Sequence, residues 1–204
     1  MRNNRAVSIP DADIYGQWRW AVALLLGILM IITRYQHFGS ALLLPDASWP
    51  IFIAAGFYLH QSRWLALFLA LAAAIDYFAI TQGGAEAYCI SPAYTFLVPA
   101  YASLWWGGRW FAAQYRGSVK DIFLLAWVIV VSTSVCFVIS NGAYHWLSGQ
   151  YDNTTIANYW RETFKYYPRF LRATALYASV FAAAHAIIVI LRDIYGGDWN
   201  RGIE

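Results

Sequence analysis

What most constrains this chain is a series of long apolar stretches separated by polar turns, the fifth of which holds "VIVVSTSVCFVIS". A helix that crosses a bilayer needs about 20 mostly apolar residues. The sequence offers about six candidates: 18–36, 47–61, 63–81, 91–113, 121–146 and 168–192. Only 12% of the residues are charged, against about 25% in a typical soluble domain. So few charges cannot coat a water-facing surface, and lipid is the expected solvent. The reading is a single all-α integral membrane domain over residues 1–204, without internal repeats. A net charge of +3, scattered along the chain, does not suit nucleic acid.

The second candidate is short for a full span. Asp46 or Ser48 is its expected cap, with Pro50 in the first turn. The preceding "SALLLP" is a candidate for dipping into the membrane. The first candidate follows a short basic tail with Arg2 and Arg5, and no small-residue cleavage site follows it, so it is expected to be retained.

Lysine and arginine set the expected orientation. With the N-terminus in the cytoplasm, that side receives Arg2, Arg5, Arg19, Arg63, Arg109, Arg116, Lys120, Arg192 and Arg201. The outside receives Arg34, Arg161, Lys165, Arg169 and Arg172. Both termini are therefore expected inside. The longer connections fall outside, which suggests a lidded external pocket. In the last of them, 147–167, the apolar residues Ile156, Tyr159, Trp160, Phe164 and Tyr167 recur at helical spacing. They fit an interfacial helix or an aromatic belt.

Cys89 sits in "AYCISPAY", in an external loop without Lys or Arg. It could be filler, half of a disulfide with Cys136, a nucleophile or a metal ligand. Cys136, deep in the fifth stretch, reads as a small hydrophobe. A nucleophilic Cys89 needs a base, and His145 is the one histidine well placed for it. A protein-closed zinc site needs three or four clustered ligands, and the sequence has no such cluster. A lone thiolate can still take an axial position on a metal that arrives within its own ring.

Asp76 and Arg172 stand at comparable depth near the outer ends of their helices. They are expected to pair, either to orient the helices or to meet a ligand. Tyr88, Ser91 and Tyr94 flank Cys89. Asn141, Tyr144, His145 and Trp146 end the fifth helix, and Tyr166, Tyr167, Arg169 and Tyr177 begin the sixth. Such side chains can grip a large flat ligand or form an interface belt. Ala23 and Gly27 have the small-xxx-small spacing that lets a partner helix approach. Walker A, GxSxG, HExxH and CxxC motifs are absent.

The segments "LPDASWPIFIAAGFYL", "AIDYFAIT", "YCISPAY", "LVPAYASLWWGGRW", "SNGAYHWLSG" and "YYPRFLRATALY" resemble the BtuM-type cobalamin transporters. These are S-components, the substrate-binding subunits of energy-coupling-factor (ECF) transporters, and the resemblance runs from about residue 41 to about residue 190. It implies six spans in a bacterial cytoplasmic membrane, both termini inside, and an outward-opening vitamin site. It also implies that Cys89 ligates the cobalt of cobalamin, or of a related corrinoid, and assists loss of cyanide from cyanocobalamin. Tyr88, Ser91, Tyr94, Asn141, Tyr144 and His145 would line the pocket. An ECF module, an ATPase pair plus a coupling subunit, would dock on Ala23 and Gly27, unless the protein works without one. Two other readings stay open. One is a membrane thiol enzyme using Cys89 and His145 on a lipid or quinone. The other is a non-catalytic subunit of a larger complex.

Overall fold

The computed structural model describes residues 12–36, 44–82, 91–152 and 154–199. All regular structure among these residues is helical. The longer elements are α1 (Ala12–Gln36), α2 (Ser48–Leu59), α3 (Ser62–Gln82), α4 (Leu97–Gln114), α5 (Lys120–Leu147) and α7 (Tyr167–Trp199), with the single turn α6 at Ile156–Asn158. Among the described residues, three stretches, Ser62–Thr81, Lys120–Leu147 and Ile156–Arg192, are long and apolar enough to cross a membrane. This points to a membrane protein.

Each of the six expected stretches coincides with a helix, and the boundaries shift for local reasons. Helix α1 begins at Ala12 rather than 18, because its first turns are helical without being apolar. The 91–113 stretch is split. Ser91 is extended, Pro92 opens a 3-10 turn through Phe96, and α4 proper starts at Leu97. Pro99 falls in the first turn of α4, where a missing N–H costs nothing. Before α5, Asp121 Oδ2 accepts the backbone N–H groups of Arg116 (3.1 Å) and Ser118 (2.7 Å). This closes the turn around Gly117, whose φ is +70°.

Helix α2 departs most from expectation. Its 12 residues reach only about 18 Å, against a hydrocarbon core of about 30 Å. Every residue except Phe57 and Tyr58 is buried, with α1, α3, α4 and α7 packed around it. It is the central post of the bundle and is shielded from lipid. The N-cap position falls on Ala47, whose side chain cannot cap, so neither Asp46 nor Ser48 takes the expected place; Asp46, one residue earlier, accepts the Ser48 N–H at 2.9 Å. Most of "SALLLP" lies outside the described residues.

Helices α2 and α4 cross closely, and two glycines permit it. A Cβ at Gly56 would collide with the Trp105 carbonyl, and one at Gly108 with the Ile53 carbonyl. Aromatic stacking extends this core: Phe52 lies on Tyr101 at 4.5 Å between centroids, and Trp49 lies on Phe170 at 4.5 Å. Phe137 of α5 meets Phe164, Tyr167 and Phe170 edge-on.

The 147–167 connection is helical in pieces: α6, a π turn at Tyr159–Thr163 and a 3-10 turn at Phe164–Tyr166, leading straight into α7. Thr155 caps it. Its buried residues, Tyr159 and Thr163, face the end of α5, while Ile156 and Trp160 are exposed. The inner face of this amphipathic segment therefore covers protein.

Candidate functional site

The dominant polar feature is a buried charged network at the end of the bundle where α1 and α3 finish and α2 begins. Arg34, in the last turn of α1, presents its fork to Asp76 of α3. Nε donates to Oδ1 at 2.7 Å and Nη2 to Oδ2 at 2.6 Å. Nη1 donates to Ser48 Oγ at 2.9 Å and to Tyr101 Oη at 2.8 Å. Asp46 Oδ2 stands 3.6 Å from the same nitrogen. The Ser48 hydroxyl donates to Asp46 Oδ1 at 2.6 Å. The Arg34 and Asp76 side chains are each 8% exposed. A planar guanidinium is the cation best suited to a bidentate carboxylate in a dry site.

Asp76 does not pair with Arg172. Arg172 is exposed, and its Nε donates to the Pro168 carbonyl of its own helix at 3.2 Å. The expectation counted depth from helix ends and treated Arg34 as a loop charge. Arg34 lies inside the first apolar stretch, so it needs a partner for the same reason that Asp76 does. That was the available signal for Arg34. No pattern in the sequence announced Asp46, Ser48 or Tyr101 as members of the network.

Cys89 and Tyr88 lie outside the described residues. The second half of their motif is placed. The Tyr94 N–H donates to the Ser91 carbonyl at 2.9 Å, and the Tyr94 hydroxyl donates to Asp76 Oδ2 at 2.9 Å. Ser91 and Tyr94 are thus tied to the Arg34–Asp76 pair. Cys136 is a free thiol, fully buried in the core.

Asn141, Tyr144 and His145 form a second cluster in the last turns of α5. Asn141 Nδ2 donates to Ser140 Oγ at 3.2 Å, and Tyr144 meets the edge of Tyr151. His145 is fully buried beneath the 151–163 segment. Its Nδ1 lies 3.2 Å from Thr163 Oγ1, and the rings of Trp146, Tyr151 and Tyr159 surround it. His145 Nε2 and the Tyr159 hydroxyl are both buried without a hydrogen-bond partner. Buried polar atoms in that condition are uncommon. Between this cluster and the start of α4 lies an apolar cleft of about 500 Å³, walled by Phe96, Pro99, Gly142 and Trp146.

Ala23 is buried within the chain, and a Cβ at Gly27 would lie 3.6 Å from Leu71 of α3. Gly27 thus faces α3, while Leu24, Leu25 and Ile28 form the exposed face. Among the described residues, no group of three His, Cys, Asp or Glu side chains could hold a metal ion. Comparison with protein-family models and with curated proteins returns no match.

Proposed function

We propose that this chain is a six-helix carrier of the cytoplasmic membrane, with both termini inside, that takes up cobalamin or a related corrinoid from the outer face. Cys89 is the axial cobalt ligand, and the corrin supplies the equatorial nitrogens. Ser91, Tyr94, Asn141 and Tyr144 border the pocket together with Tyr88, and His145, enclosed under the segment that leads into α7, backs that wall. The observation that carries the reading is the anchoring of Ser91 and Tyr94 to the Arg34–Asp76 pair. A loop that offers one metal ligand must be held from a rigid base, and a buried bidentate ion pair is such a base.

The motif resemblance supplies the ligand class. With cyanocobalamin, a Co–S bond forms as the Co–C bond to cyanide breaks, and cyanide leaves with the electron pair. The ECF module, or transport without one, belongs to the same proposal. The thiol-enzyme alternative requires His145 to serve Cys89 as base. The enclosure of the His145 ring under Tyr151, Tyr159 and Thr163 favours the carrier reading over it.

The test is purification in the presence of hydroxocobalamin or cyanocobalamin, followed by visible spectroscopy of wild type and Cys89→Ser. Co-purified corrin with a cysteine-dependent shift of its bands is the expected result. Absence of corrin from both proteins would sink the proposal.

A further inference from the structure

Alongside α2 and reaching the 115–119 turn, a groove of about 310 Å³ lies between α4, α5 and α7. The floor is formed by Pro50, Ile53 and Ala54, all buried. Along the α7 wall, the lining positions Ala178, Ala182 and Ala186 repeat every four residues, which keeps the groove open. The lining runs from Pro50 to Tyr58 on α2 and from Ala178 to Ala186 on α7. Each run is about 12 Å long at the helical rise. That is most of the roughly 15 Å depth of one leaflet of a bilayer's hydrocarbon core.

The polar groups of the groove are already engaged with one another. His185 Nδ1 lies 3.1 Å from the Tyr58 hydroxyl, and Nε2 lies 3.2 Å from the Tyr115 hydroxyl. A neutral imidazole offers one donor and one acceptor, so it is satisfied by these two phenols. Burial pushes the Tyr115 hydroxyl up from its ordinary value, with nearby Asp121 adding to the shift, so it stays neutral at working pH. Asp121 itself holds the Arg116 and Ser118 N–H groups. What remains for a ligand is an apolar wall. A partner helix is about 10 Å across, and 12 Å of it would fill roughly three times this volume. One alkyl chain fits.

The mouth adds charge. Gly117, Ser118 and Val119 line it, and the exposed residues Arg116 and Lys120 bracket that turn. We propose that the groove between α2, α5 and α7 binds one acyl chain of an anionic phospholipid, with the lipid phosphate held at Arg116 and Lys120. The site is separate from the proposed corrinoid pocket and does not depend on that reading.

The experiment is native mass spectrometry of the detergent-purified full chain. It is titrated with phosphatidylglycerol or with phosphatidylcholine of the same acyl chains. Wild type is expected to retain phosphatidylglycerol preferentially. Ala182→Phe, which fills the groove, should abolish the retained adduct while size-exclusion behaviour and helicity stay unchanged. Arg116→Gln and Lys120→Gln should each reduce the preference for phosphatidylglycerol by about fivefold. Equal retention of the two lipids by wild type would overturn the proposal. So would a folded Ala182→Phe that keeps the adduct, or one that instead loses a dimer and so reveals a protein-docking face. If Ala182→Phe does not fold, the two surface variants decide: an unchanged lipid preference in both overturns the proposal.

Discussion

Helix α2 buries all of its residues except Phe57 and Tyr58. Helix α7 runs for 33 residues and, among those described, buries only Thr174 and Ala178. Both are apolar, and they face different solvents. For α7 the solvent is expected to be lipid, as apolar as the side chains themselves, so little is gained by hiding an isoleucine from it. For α2 the neighbours are other helices, and stability comes from close packing of atoms that lipid chains would not match. Hydropathy measures a residue's dislike of water. It does not report whether protein or lipid replaces the water.

That comparison can be broken in four places. The largest effect is expected at the α2–α4 crossing. Gly108→Leu sets a side chain against the Ile53 backbone, where no rotamer change relieves the collision. No folded protein should elute from size-exclusion chromatography, and a monodisperse, helical Gly108→Leu would refute the crossing. Next is Asp76→Asn, which leaves the buried Arg34 guanidinium without its carboxylate. Loss of one partner of a buried pair costs about 3–5 kcal/mol, to be read as a fall in thermal or denaturant stability in detergent. Third, Phe52→Ala removes a fully buried ring from between Phe68 and Tyr101 and should cost about 3 kcal/mol by the same assay. The smallest effect is expected for Ile190→Ala on α7, which is 56% exposed. It should stay within about 0.5 kcal/mol of wild type. Comparable losses for Phe52→Ala and Ile190→Ala would erase the distinction between the two helices.

The helices themselves were readable because apolar runs of this length permit little else. The burial of α2 was not, since "IFIAAGF" looks the same whether lipid or protein surrounds it. Small residues carried a hint, because Gly56 of α2 and Gly108 of α4 each leave room for a close neighbour. Asp76 was recognisable as needing a partner. The choice of Arg34 over Arg172 was not, because depth was counted along separate helices and α1 places its guanidinium against α3 through the tertiary fold. Ser48, Asp46 and Tyr101 join the network for the same reason. Each is unremarkable in its own segment and becomes informative only beside the others.

The crossing of α2 and α4 also bears on how this protein can change shape. Where backbone rests on backbone, no side-chain rotamers exist to be exchanged for another arrangement. The two helices must therefore travel as one stiff piece. Any rearrangement has to be taken up where contacts are made by stacked rings, such as Trp49 on Phe170 between α2 and α7. The glycines thus divide the bundle into a part that keeps its form and a part that can give.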